Sequence, residues 1–172
     1  MEALVRAISH LINQGDPHMN IAAHLSKLDR FDAVRRRLDP NDDFEMWYWM
    51  SLSGGTAIIN AALHSCGLTD ENRYFATQVP DVYVVVSSDG SWRSVFAQRC
   101  DLIHIGLPEI TDPLPPWIAK AYAAMEVLEN HRDPCIRGDR PITPQLIAEC
   151  DASYLEIVDA CRRAMAKGRD PE

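Results

Sequence analysis

Histidines are the first residues to examine for chemistry, because imidazole is a common metal ligand and titrates near neutral pH. His18 and His24 are six residues apart, a spacing that does not place both on one face of a helix. Glu126, Glu129 and His131 lack the Glu-x-x-His spacing of di-iron carboxylate bundles. The following histidines are isolated in the sequence: His10, His64 and His131. From these spacings we expect no metal ligands and no cofactor.

The cysteines show no metal-binding or redox spacing. Their number, 5, is odd, and no C-x-x-C pair occurs. Such a set fits reduced thiols in the cytoplasm better than a disulfide framework, and most of the thiols are expected to fill the core. They are Cys66, Cys100, Cys135, Cys150 and Cys161.

Several common catalytic and binding motifs are absent. Gly54-Gly55 is not followed by Lys-Ser/Thr, so it is no phosphate-binding loop, and no G-x-S-x-G, H-E-x-x-H or EF-hand pattern occurs. The formal net charge of -8 argues against a broad basic surface for nucleic acid.

Arg99 is the most specific polar feature of the sequence. In a helix predicted over residues 91–104 it lies in the middle of the apolar face, between Phe96 and Leu102. Burying an unpaired guanidinium costs on the order of several kcal/mol. Arg99 is therefore expected to pair within the fold, to reach solvent or to serve a functional site.

Arg99 and His104 form an Arg-x4-His sequence near the end of that predicted helix. This pattern resembles the motif of the HEPN superfamily, whose members are small helical bundles, often dimers, and in many cases metal-independent ribonucleases of toxin or defence systems. The resemblance, which covers six residues and the helix count, implies a composite site shared by two protomers. In that site Arg99 would stabilise the phosphate charge and His104 would transfer a proton or position the 2′-hydroxyl.

A second candidate site is aromatic. In the segment Trp47-Tyr48-Trp49 the first two rings suit the core, whereas Trp49 and Met50 point away from that face and must meet another helix, a ligand or a second subunit. This pattern predicts a homodimer. Ser51 and Gly55 are small, so they allow close approach of a backbone or leave a hollow for a small molecule. The candidate pocket or interface residues are Trp47, Trp49, Met50, Ser51 and Gly55.

Apolar stripes at helical spacing, separated by Pro and Gly, define the elements that would position these residues. Helices are predicted over about residues 4–12, 17–38, 41–66, 91–104, 116–132 and 144–167. The stretch 46–69 has no charged residue, and its polar content favours a helix buried in a bundle over a membrane span. The β-branched run 79–86 predicts an extended segment over the bundle or a minor hairpin, with a helix as the alternative.

Together these patterns predict an all-α, single-domain bundle of five to six helices over residues 1–168, with one short extended segment near residues 79–86 and a frayed tail at 169–172. The leading functional expectation is a non-catalytic binding or protein-interaction domain in the cytoplasm, without membrane association. One alternative is a HEPN-like ribonuclease or its inactive relative, and RNA is an expected partner only in that case. The other alternative is a small-molecule pocket in the bundle.

Overall fold

The computed structural model describes residues 20–71, 75–77, 82–87, 89–96, 99–106 and 109–167. The helix predicted over residues 4–12 and the tail 169–172 lie outside the described residues. The α-helices of the described part are α1 (Ile21–Arg35), α2 (Phe44–Ser65), α3 (Pro116–Arg132) and α4 (Pro144–Lys167). The protein is thus mainly helical, as the apolar stripes predict.

The helix ends follow from local sequence. The Asn20 side chain accepts a hydrogen bond of 2.8 Å from the backbone N–H of Ala23 and so caps the start of α1. The Thr143 hydroxyl accepts from the N–H of Leu146 at 3.2 Å and so caps α4, whose first residue is Pro144. Beyond α3 the chain continues through a π-helical turn, Asp133–Arg137.

Helix α2 is the centre of the bundle and packs against α1, α3 and α4. Its residues from Trp47 to His64 are buried on most of the helix circumference, which confirms the interpretation of the uncharged stretch as a buried helix. Gly54 and Gly55 permit this packing, because a Cβ at Gly55 would lie 2.9 Å from Met125 Sδ and one at Gly54 would lie 3.0 Å from the Tyr154 hydroxyl. No helix in the described part of the chain combines the length and apolarity needed to cross a bilayer.

A small antiparallel sheet connects α2 to α3. Its strands are β1 (Phe75–Ala76), β2 (Val82–Val86) and β3 (Trp92–Phe96), in the order β1-β2-β3. Strands β2 and β3 form a hairpin in which Val86 pairs with Trp92 and Val82 pairs with Phe96. The run at residues 82–86 is therefore extended and part of a hairpin, as two of the alternatives for this region predicted, but it belongs to a three-stranded sheet where one short extended segment was expected.

The prediction of a helix over residues 91–104 is wrong. Residues 92–96 form β3, and residues 99–104 are not helical. Asp89 and Gly90 form the hairpin turn instead of a helix cap: the Asp89 carboxylate accepts from the N–H of Ser91 at 2.9 Å, and Gly90 has a φ of +82°. The backbone groups of the Val-rich β2 need partners, and a turn of this kind brings β3 alongside to supply them.

The buried arginine of the bundle is Arg35, at the end of α1. Its guanidinium lies between the rings of Trp47 and Tyr154, at 4.6 and 4.2 Å from their centroids. Its Nε donates to Ser51 Oγ at 2.8 Å, and its Nη2 lies 2.5 Å from Asp151 Oδ1. Arg35 therefore joins α1 to both α2 and α4.

We expect Arg35→Ala to lower the free energy of unfolding by about 3 kcal/mol, because it removes the stacking, the hydrogen bond and the ion pair together. Urea denaturation measures this change. The matched control is Arg36→Ala at the C-cap of α1. Among the described residues its exposed side chain pairs with Asp32 of that helix, and the expected effect is below about 0.5 kcal/mol. Equal effects of the two substitutions would show that the buried contacts of Arg35 do not stabilise the fold.

Candidate metal centre

Three side chains that are far apart in the sequence converge beside α2. His24 Nε2 lies 3.2 Å from Asp101 Oδ1, and His64 Nε2 lies 2.9 Å from the same oxygen. All three residues are buried, and their ligand-type atoms lie within 4.8 Å of one another. We call His24, His64 and Asp101 the triad.

Each member of the triad is held by a different element. His24 is on the buried face of α1, one turn before Leu28, and His64 is in the last turn of α2. Asp101 is in the irregular segment 99–106 that follows β3. Two rigid helices thus fix the imidazoles, and the third ligand depends on how this segment is attached.

Asn60 attaches the segment to α2 through a single amide group. Its Nδ2 donates to the carbonyl of Leu102 at 3.1 Å, and its Oδ1 accepts from the N–H of Leu102 at 2.7 Å. Because Asn60 is one turn before His64 on the same helix, α2 sets the position of Asp101 relative to His64.

Arg99 attaches the other end of the segment to the chain that leaves α2. Its carbonyl accepts from the N–H of Asp70 at 2.6 Å, and its guanidinium donates to the carbonyl of Gly67. The guanidinium also pairs with Asp70 at 3.6 Å and with Asp112 at 3.4 Å. Arg99 has a φ of +62°, which is uncommon for a residue with a side chain and places it in a turn.

The position of Arg99 corrects the sequence expectation. The residue is exposed and lies in an irregular segment, whereas a place at the middle of a helical apolar face was predicted. The expectation that its charge would be paired or would reach solvent is confirmed, since it does both.

Hydrogen bonds orient the charges within the triad. Thr69 Oγ1 lies 2.9 Å from His64 Nδ1, so the hydroxyl fixes the ring and leaves Nε2 facing Asp101. Burial disfavours the imidazolium of His64, but the hydrogen bond and the charge of Asp101 outweigh it and raise the pKa of His64. Burial also disfavours the charged form of Asp101, yet the hydrogen bonds from His24 and His64 outweigh it and lower the pKa of that carboxyl.

The donor set and the distances suit a divalent transition metal. Two imidazoles and one carboxylate are the protein ligands of many metal sites with open positions. Ligand atoms bound at about 2.1 Å and at right angles lie about 3 Å apart, close to the two Nε2–Oδ1 distances of the triad. His24 Nδ1 is buried and has no hydrogen-bond partner among the described residues, so this ring is held only through Nε2 and packing.

A cavity of about 380 Å³ adjoins the triad. His24, Asp101 and Asn60 form part of its wall, together with His104, Glu129 and other residues of α1, α2 and α3. Glu129 Oε1 accepts from the N–H of Ile105 at 3.1 Å and lies 3.8 Å from His104 Nδ1. A ligand bound at the triad from this side would thus have a histidine and a carboxylate within the same cavity.

The two residues of the Arg-x4-His pattern have different surroundings. His104 lines the cavity, near Glu129 and Arg132, whereas the ion pairs of Arg99 are with Asp70 and Asp112. The geometry therefore places His104, but not Arg99, in the wall beside the triad.

The aromatic candidates divide between core and cavity. Trp47 is in the core under Arg35, and Trp49 lines the cavity, while Met50 is half-buried. Ser51 is fully buried and bound to Arg35, and Gly55 packs against Met125. The hollow considered beside Ser51 and Gly55 is thus filled by neighbouring side chains.

Ligand spacing within single helices does not reveal the triad. Asp101 is 77 residues from His24 and 37 from His64, so no local spacing could reveal the group. One signal was present: His24 and His64 both lie on buried faces of adjacent helices, where an imidazole needs a polar partner.

Buried thiols are no part of this centre. Burial raises the pKa values of Cys150 and Cys161 to about 12, so both are inert core residues at neutral pH, as the sequence predicts.

Comparison of the chain with protein-family models, curated proteins and solved structures found no match.

Proposed function

We propose that the protein binds one divalent transition-metal ion through His24 Nε2, His64 Nε2 and Asp101, and that the ion takes part in binding a small molecule in the adjoining cavity. The observation that carries the proposal is the convergence of three buried ligand atoms, two of whose residues, His24 and Asp101, line the cavity. A histidine binds a metal through an unprotonated nitrogen, so with the ion bound neither Nε2 atom would carry a proton.

A set of three protein ligands favours an ion that binds a substrate over an ion that only stabilises the fold. Structural zinc sites are closed by four protein ligands, whereas sites that bind substrates keep an open position. Among the described residues, the triad supplies three ligands and no thiolate. Imidazole and carboxylate donors suit zinc, iron, cobalt or manganese. A bound ion would act as a Lewis acid toward the small molecule or a water molecule.

The other functional interpretations remain proposals with less structural support. A metal-independent ribonuclease needs Arg99 to act on phosphate, and the ion pairs of Arg99 with Asp70 and Asp112 favour a structural role for it. RNA cleavage that persists in EDTA and is lost in Arg99→Ala would favour that alternative.

A non-catalytic protein-interaction role, a homodimer and a cytoplasmic location also remain proposals. The support for the dimer rested on the aromatic segment, and Trp49 packs against the core within one chain. This contact gives Trp49 a partner without a second subunit.

Metal titration of the purified protein tests the proposal. After EDTA treatment and dialysis, we expect the protein to bind one equivalent of Zn²⁺ or Co²⁺, and His64→Gln and Asp101→Asn each to weaken binding at least about a hundredfold by removing a ligand. The matched control is His131→Gln, a buried histidine on α3 outside the triad, which should bind the ion as the unaltered protein does.

Circular dichroism of each variant verifies that it is folded. A folded, unaltered protein that binds no ion, or triad variants that bind as tightly as the control, would contradict the proposal.

The hydroxyl of Thr69 provides a finer test. Thr69→Val keeps the shape of the side chain but removes the partner of His64 Nδ1, and loss of such a contact weakens metal binding by about tenfold or more. In the control Thr56→Val, the lost hydroxyl lines the cavity but contacts no member of the triad, and among the described residues it donates to the Leu52 carbonyl of its own helix, so the metal affinity should not change. Competition with a chelating dye measures both constants, and equal affinities would show that Thr69 does not orient the ligand.

A further inference from the structure

The cavity beside the triad has an apolar part and a charged part. The apolar part includes Phe31, Trp49, Leu52 and Met125. The charged part outside the triad consists of Lys27, Glu129 and Arg132, with the titratable His104. A molecule that fills this cavity thus meets aromatic and aliphatic surface as well as charges.

The Lys27 and Arg132 side chains are more available than Glu129 to bind a charged ligand. Glu129 already accepts the N–H of Ile105 and faces His104. Arg132 Nε pairs with Asp133 at 3.2 Å, but Asp133 is mostly exposed, so water screens that pair. Lys27 has no ion pair with another described residue.

The charge balance favours an anion once the metal is bound. Asp101 and Glu129 balance the charges of Lys27 and Arg132, and the triad histidines are neutral as ligands. A divalent ion therefore leaves an excess of two positive charges among the residues that line the cavity, or of one when Asp133, the partner of Arg132, is counted. Because this wall is partly shielded from water, a ligand of opposite charge is the one that it stabilises.

From this balance we infer that the ligand of the cavity is a small organic acid, whose carboxylate binds near the metal and Arg132 and whose apolar body packs against Trp49 and Met125. The inference rests on the proposed metal site and adds the chemical class of its ligand. A cavity of about 380 Å³ is at the small end of ligand sites, which fits a compact molecule and not a polymer.

Calorimetric titration of the zinc-loaded protein with matched acids and amides tests the inference. The probes are benzoate with benzamide and hexanoate with hexanamide, which differ within each pair mainly in charge. We expect at least one acid to bind about tenfold or more tightly than its amide, and Arg132→Gln or Lys27→Gln to weaken that acid about tenfold, the effect of one charge-assisted hydrogen bond. The control Arg163→Gln removes an exposed cation that pairs with Asp159 outside the cavity, and it should leave the affinity unchanged.

Zinc content, measured on each sample before titration, separates the possible failures. Zinc-loaded protein that binds neither acid more tightly than its amide would overturn the inference and leave the metal site intact. The inference would also be overturned if both Arg132→Gln and Lys27→Gln retained the full preference for the acid over its amide. Protein that takes up no zinc would instead overturn the proposed function on which the inference rests.

Discussion

The contact between Asp101 and the two imidazoles is the constraint that organises one side of the bundle. A carboxylate withdrawn from water costs on the order of several kcal/mol unless charge and hydrogen bonds replace the lost hydration. Here one oxygen of Asp101 faces Nε2 of both His24 and His64. Without those partners the burial of Asp101 would be unfavourable, so the segment that carries it could not stay in this position.

The neighbouring polar contacts follow from that requirement. Asn60 fixes the backbone next to Asp101, Thr69 orients the ring of His64, and Arg99 ties the segment to the chain beyond α2. These contacts lie within the protein, and they support a group in which both Nε2 atoms are within 3.2 Å of one Asp101 oxygen. On the other side of α2, Arg35 joins three helices, so the helix that carries Asn60 and His64 is fixed at both faces.

Sequence patterns predicted the four described α-helices, out of six expected, because each of the four has an apolar stripe that must be buried, bounded by caps such as Thr143. They failed for residues 91–104, where Trp92, Val95 and Phe96 fit a helical face but pair across a hairpin with β2. Strand pairing is a contact between segments, and one segment's spacing does not contain it. The triad was missed for the same reason, since its members come from three segments. Of the two residues of the Arg-x4-His pattern, His104 lines the cavity beside the triad, whereas Arg99 stabilises a turn through ion pairs.

The most direct measurement is X-ray diffraction from crystals of the zinc-loaded protein at wavelengths on both sides of the zinc absorption edge. The account predicts one anomalous peak within bonding distance, about 2.0–2.2 Å, of the Nε2 atoms of His24 and His64 and of an oxygen of Asp101. A map with no peak between these three atoms, in protein that contains zinc, would contradict it.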